Sequence, residues 1–219
     1  SVEGATALMR SALNGYKEIV NLLLKHPNID VNIQSNHGNT ALMYAIDYRQ
    51  NAVVELLLKH LKINVNIKDN NGITAYGYAK TKNGQEKKVD QLLKHPNIDI
   101  NIQDIEGCTP LIWAASNGHN IVTEMLLNQT NINVNVQDIL EMTALMWASQ
   151  NGHNTVVELL LEHRSTNVNI QNCKGATALI LAVETEHKTI VESLLSHPDI
   201  DINIESEYKS TALMHAVNK

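Results

Sequence analysis

The sequence predicts an all-α repeat protein, a solenoid of helix-turn-helix units joined by β-turn and hairpin loops, and three observations predict it. Thr-Ala-Leu or a near variant returns at Thr6, Thr40, Thr74, Thr109, Thr143, Thr177 and Thr211, with spacings of 34, 34, 35, 34, 34 and 34 residues. Two short apolar stretches of helical period flank an Asn-Gly, as at 14-15, 117-118 and 151-152. An alternating stretch such as Ile-Asp-Val-Asn-Ile-Gln (29 to 34) then runs into an Asn/Asp-x-x-Gly turn. A period this regular over 219 residues means stacked copies of one supersecondary unit, none of which buries its apolar face alone.

Each element of the unit has a local cause. Thr before Ala or Pro starts the first helix, since its hydroxyl can cap an orphan N–H, and Thr109-Pro110 adds proline at the favoured first helical position. Asn-Gly ends that helix. The second helix follows, with Val156, Val157, Leu159, Leu160 and Leu161 as a broad apolar stripe. Polar residues close it, with His-Pro at 26-27, 95-96 and 197-198. The alternating stretch reads as extended chain leading to the next turn. The repeats are 1–34, 35–68, 69–103, 104–137, 138–171, 172–205 and a partial 206–219, read as a single domain.

Composition excludes several other classes. With 43% apolar and 18% charged residues the chain can bury a core, and no run approaches the roughly 18 apolar residues of a membrane span. A formal charge of -6 without any Lys/Arg block argues against nucleic acid and anionic membrane surfaces. Cys108 and Cys173 lie two repeats apart. That is roughly 20 Å at helix-packing distances, too far for a disulfide, so a reducing cytoplasmic compartment is expected. No targeting segment precedes the first repeat and the chain begins at Ser1, so it reads as a fragment of something longer. The lack of a polar outer face at Leu8, Ile19 and Leu22, which a terminal solenoid repeat would carry, points the same way.

Aligned copies sharpen the pattern. The fourth reads Asp104, Gly107, Thr109, Pro110, Leu111, Ala114, Ala115, Gly118 and His119, followed by an apolar second helix and an Asn-Val-Asn. The unit therefore resembles an ankyrin repeat, whose pattern is D-x-x-G-x-T-P-L-H-x-A-A-x-x-G-H, and the resemblance covers the entire chain. It implies a β-turn plus two antiparallel helices per repeat, and a protein-binding surface made of turn tips and the outward face of the first helix. Two departures are systematic. The unit is one residue longer than the common 33, and the family's His after Thr-Pro-Leu is replaced by Met9, Met43, Ile112, Met146, Ile180 and Met214. Packing is expected to replace that histidine's hydrogen bond. The resemblance also implies asparaginyl hydroxylation as a candidate modification at Asn32, within Leu24 to Asn32, and more loosely at Asn101; hydrogen bonding in the loop is the competing role.

Candidate chemistry dissolves into the repeat. His26, His60, His95, His163 and His197 occupy one repeat position, and His119, His153 and His187 another, so neighbours are a whole repeat apart and cannot gather around a metal with bonds of about 2.0 Å. No phosphate loop, nucleophile elbow or H-E-x-x-H helix occurs. No enzyme, cofactor, metal or small-molecule substrate is expected. Trp113, Trp147 and Tyr44 share a position with Tyr78 and Leu181 on the first helix, where core packing competes with a partly exposed ring edge.

The deviations are the informative residues. Repeat three carries Tyr76-Gly77 inside its first helix, a longer helix connection, and Lys88 and Gln91 at stripe positions held by Ile19 and Leu22 in repeat one, so it is expected to be the weakest link. Glu141 stands where glycine occurs at 38, 72, 107 and 175, which predicts a strained or remodelled tip. Tips four and five are apolar, with Ile105, Cys108, Ile139, Leu140 and Met142, which marks either a contact surface or local collapse onto the stack. Together with Asp47, Tyr48, Ser116, Asn117, Gln150 and Asn151 they are the expected partner-binding residues. The expected molecule is a monomeric, noncatalytic scaffold that binds a protein partner along a concave strip about 60 Å long, at about 10 Å per repeat. A spacer or self-associating segment is the alternative, and an adaptor for a fused catalytic domain a third.

Overall fold

The structure, a computed structural model, describes residues 4–80, 86–207 and 209–217. The chain divides into two compact bodies. The N-terminal body, Ser1–Asp99, holds α1 (Ala7–Leu13), α2 (Lys17–Leu24), α3 (Ala41–Asp47), α4 (Asn51–Leu58), α5 (Ala75–Lys80) and α6 (Glu86–Leu93). Within it α1 packs on α3 and α3 on α5, while α2 lies against α4. The C-terminal body, Ile100–Lys219, holds α7 (Pro110–Ser116), α8 (Asn120–Leu127), α9 (Ala144–Gln150), α10 (Asn154–Glu162), α11 (Ala178–Glu184), α12 (Lys188–Leu195) and α13 (Ala212–Val217). Here α7, α9, α11 and α13 form one row, and α8, α10 and α12 a second.

The first helices start as their threonines dictate. Thr6, Thr40, Thr109, Thr143 and Thr177 sit in extended backbone, and each hydroxyl accepts the N–H of the residue three positions on. At Met9, Met43 and Met146 the bond is returned: the thioether Sδ accepts the threonine's own N–H at 3.4, 3.3 and 3.5 Å. Methionine therefore does more than pack at this position, because its sulfur, a weak acceptor, takes the place of the oxygen in a capping box. Ile112 and Ile180 have no such atom.

The second helices bury a narrower face than their sequence implies. Val20, Val54 and Val157 are fully buried, as are Leu57, Leu126 and Leu160. Ile19 and Leu22, read as stripe residues, are instead exposed by 47% and 67%. The connections into α10 and α12 carry a cross-repeat tie: His153 Nε2 donates to Ser116 O at 3.0 Å, and His187 Nε2 to Gln150 O at 3.1 Å. Gly118 is required beside this tie, since a Cβ there would lie 2.6 Å from the His153 ring. The first histidine series also has a local duty: Nδ1 of His26, His60, His95, His163 and His197 accepts the N–H two residues on, at 3.2 to 3.4 Å. Burial holds the His95 imidazole below its ordinary range, which keeps that nitrogen free to accept.

The alternating stretches do not form strands; among the described residues there is none. They run as successive turns laced by side-chain amides. Asn32 Nδ2 donates to Lys62 O at 2.7 Å and its Oδ1 accepts Asn64 N–H at 2.9 Å. Asn66, Asn101, Asn135 and Asn169 do the same to the following repeat. Gln34, Gln103, Gln137 and Gln171 add a second series, each Nε2 bridging the carbonyl of its own turn glycine, or of Glu141, and a carbonyl 34 residues on. The asparagines proposed for modification thus have both amide ends engaged.

Of the two expectations for Glu141, a strained tip or a remodelled one, the structure has the strained tip. Its φ is 56°, close to the 74° of Gly107 and 71° of Gly175, and Gln137 bridges its carbonyl as in the glycine repeats. The tip is strained and conventional in shape. Glu141→Gly is expected to stabilise the chain by about 1 kcal/mol, the left-handed penalty less the added freedom of the unfolded chain, read as a higher urea midpoint at unchanged slope.

Repeat three carries deviations inside both of its helices. Tyr76 is buried with its hydroxyl unpartnered, and Lys88 is buried in α6. Its longer helix connection, 81–85, lies outside the described residues.

Candidate functional site

The turn tips of repeats three, four and five are each built around one acid. Asp104 Oδ1 accepts the N–H groups of Glu106 and Cys108 at 3.0 and 2.9 Å, folding the tip, while Oδ2 accepts Trp113 Nε1–H at 2.7 Å. Asp138 repeats this with Leu140, Met142 and Trp147 at 2.8, 2.9 and 2.7 Å. Asp69 does so with Asn71, Ile73 and the Tyr78 hydroxyl at 2.9, 2.8 and 2.7 Å. Burial and the Asp69 bond hold the Tyr78 phenol above its usual range. A first-helix aromatic nine residues after the acid thus anchors tip to helix. The aromatics are half-buried and lean over the tips, so the exposed-edge alternative describes Trp113, Trp147, Tyr44 and Tyr78 better than core packing. The spacing of nine, visible in the sequence, was the signal for this pairing.

Backbone bonds join successive tips: Asn70 N–H donates to His37 O, Ile139 N–H to Glu106 O, Cys173 N–H to Leu140 O and Glu207 N–H to Lys174 O, at 2.9 to 3.2 Å. Tips held this way present side chains from a fixed frame. Ile105, Ile139 and Leu140 are exposed by 66%, 69% and 48%. Cys108 is half-buried, its Sγ 4.0 Å from Glu106 O and from Asp138 Oδ2.

Met142 is a correction. It is 4% exposed, so it cannot meet a partner directly. Its sulfur accepts Asn172 Nδ2–H at 3.2 Å, an interaction that turns the side chain under the tip of the following repeat. Ile139 and Leu140 remain outside.

The other expected contacts lie at first-helix ends. Ser116 O accepts from Asn151 Nδ2 at 2.9 Å as well as from His153, and Asn117 Nδ2 donates to Trp113 O at 2.8 Å. Asn117 and Asn151 are exposed, while Ser116 and Gln150 are half-buried. In the N-terminal body, Tyr48 is exposed and Asp47 half-buried at the end of α3.

Beside Trp147 the C-terminal body holds a cleft of about 310 Å³. Leu140, Met142, Trp147, Ala176 and Leu181 supply apolar surface; Asn172 and Ser206 line it with polar groups, and Gln150, Lys174 and Glu184 also border it. The cleft follows from two truncations: repeat six has Leu181 where repeat five has Trp147, and Ala176 where it has Met142. No helix among the described residues is long and apolar enough to cross a membrane.

Comparison with known proteins matches this architecture. A family model described as ankyrin repeats (3 copies) matches residues 1–69, 77–172 and 164–219. Among solved structures, the crystal structure of the ankyrin repeat domain of Bcl-3, a unique member of the IkappaB protein family, is similar to this chain. The TM-score is 0.85 at 24% identity, over 98% of this chain and 95% of that one. At that identity the likeness concerns the fold alone. No curated protein matches the chain.

Proposed function

Because the chain belongs to the ankyrin-repeat family, a class of protein-interaction modules, we propose that it is a noncatalytic scaffold that binds a protein partner through its turn tips and first-helix faces. One observation carries the reading: Ile105, Ile139 and Leu140 are large apolar side chains left in solvent on tips that acids, amides and backbone bonds hold in place. Exposed apolar groups on a fixed frame lose little entropy on docking, which is what an interface anchor needs. Cys108, Ser116, Asn117, Gln150 and Asn151 border these tips along the C-terminal body, and Asp47 and Tyr48 offer a second set in the N-terminal one. Met142 supports the surface from beneath.

The test compares wild type with an Ile139→Asp, Leu140→Asp double variant as bait in cytosolic extract, with circular dichroism to establish that the fold persists. A specific partner recovered by the wild type and lost from the folded variant supports the scaffold. Identical and empty recoveries from both would favour a spacer.

A further inference from the structure

We propose that the tips of repeats four and five receive a cationic segment of the partner, one in which apolar and basic side chains stand next to one another; this rests on the protein-binding reading above and names the chemistry of the partner. Charge is divided unevenly along the chain. Residues 1–99 hold 12 Lys/Arg against 9 Asp/Glu, whereas residues 100–219 hold 5 against 14. The imbalance is greatest where the apolar tips stand: from 95 to 163, 69 residues contain eight Asp/Glu and no Lys or Arg. On the tips themselves the run ends at repeat six, where Lys174 is exposed.

Within this stretch each tip presents apolar side chains beside an acid: Ile105 with Glu106, and Ile139 and Leu140 with Glu141, all of them exposed. Neither glutamate forms an ion pair among the described residues. The two sets share one frame, since Ile139 N–H donates to Glu106 O at 3.1 Å. Beneath them Asp104 and Asp138 accept backbone and indole N–H groups, adding acids under the tips that no cation of the stretch offsets. A partner that covers these tips therefore meets apolar groups and carboxylates together. A neutral apolar segment would bury the first and strip water from the second without pairing them, and an acidic segment would meet like charge. A basic side chain next to an apolar one satisfies both. Successive repeats lie about 10 Å apart, a distance that about three residues of extended chain span, so the apolar and basic pair is expected to recur at every third residue of the segment.

The experiment titrates the whole chain at low salt with a peptide of four Leu-Lys-Ser triplets, and with Leu-Glu-Ser and Gly-Lys-Ser counterparts of the same length. The Ile105, Ile139 and Leu140 methyl signals are followed by two-dimensional NMR, with the exposed Ile33 methyls of the N-terminal body as control. Saturable shifts of the three tip residues are expected with the Leu-Lys-Ser peptide, with Ile33 unmoved. The acidic counterpart is expected not to bind, and the one without leucine to bind at least several-fold more weakly. Glu106→Gln joined to Glu141→Gln, at exposed positions, is expected to weaken the Leu-Lys-Ser peptide about fivefold, the effect of two exposed ion pairs, and to flatten its salt dependence. Absence of saturable tip shifts, equal binding of the acidic peptide, or an unchanged affinity in the double variant would each overturn the proposal. A second copy of the chain is the rival occupant, because residues 1–99 are net basic and Tyr16, Ile19 and Leu22 stand exposed there. Sedimentation showing association of the wild type alone, relieved in the double variant, would give the tips to that copy and overturn the cationic segment as well. A partner recovered from extract through Ile139 and Leu140 but indifferent to both glutamine substitutions would sink the cationic segment and leave the scaffold standing.

Discussion

Asn135→Ala is expected to lower the free energy of unfolding by about 2 kcal/mol, a large effect for a side chain that touches no hydrophobic core. Asn135 joins two repeats through both ends of its amide: Nδ2 donates to Ser165 O at 2.7 Å and Oδ1 accepts Asn167 N–H at 2.9 Å. The bonds lie near the surface, so water partly replaces them, and the figure is two net hydrogen bonds of about 1 kcal/mol each. In a stacked array stability is the sum of repeat terms and nearest-neighbour interface terms, and this side chain belongs wholly to an interface term. Asn135→Asp separates the two bonds, since a carboxylate can accept from Asn167 but cannot donate to Ser165 O. It is expected to cost about half as much as alanine at neutral pH. The check is a urea titration at constant slope, joined to amide exchange at Asn167, which should quicken in both variants. An unchanged midpoint in Asn135→Ala would show that the ladder is ornamental to stability.

The ladder marks the limit of what could be read from the sequence. Helix starts were legible because a threonine hydroxyl caps an N–H three residues away, within one turn of chain. The asparagine and glutamine bridges join residues 30 to 34 apart, and their local signature, Ile-Asp-Val-Asn-Ile-Gln, has the period of a strand. Local periodicity therefore gave extended chain where the structure has turns laced to the next repeat. The pairing of acid and aromatic at a separation of nine is visible at Asp69, Asp104 and Asp138, but Trp113 and Trp147 also fit a core position, because large rings favour burial. Met142 failed for a different reason. Tip variability shows which positions are free to change and says nothing about where a flexible thioether points, which Asn172 decides from the next repeat. Ile139 and Leu140, with no such neighbour, stay in solvent as their positions implied. Glu141 shows the reverse case, in which the frame overrides a residue's preference: the flanking bonds impose a positive φ on a side chain that disfavours it.

Tyr76→Phe is expected to stabilise the chain by about 1 to 2 kcal/mol, the cost of keeping a buried hydroxyl away from water without a partner. Tyr76 is 1% exposed and its oxygen has no hydrogen bond, whereas the same position holds Leu42, Leu111, Leu145 and Leu179 in other repeats. Phenylalanine removes the hydroxyl and keeps the ring, so the packing of α5 is undisturbed. Tyr76→Leu removes the hydroxyl too, but leaves part of the ring's volume empty, and cavity formation offsets the gain. The order Phe above Leu therefore separates the polar penalty from the packing term. Alkaline titration supplies an independent reading. Burial raises the Tyr76 phenol well above its ordinary value of 10.0, so the folded chain holds a proton that the unfolded chain releases above that pH. Stability carried by this group is complete below pH 10 and declines as pH rises beyond it, a slope that Tyr76→Phe should remove. Thr123→Val is the matching experiment in the C-terminal body, where a fully buried hydroxyl is equally unpartnered and the replacement is nearly isosteric. The two gains should add, because the residues belong to different bodies and neither hydroxyl has a hydrogen-bond partner. A loss of stability in Tyr76→Phe would mean instead that the hydroxyl is satisfied by a bound water, which would be displaced when the oxygen is removed.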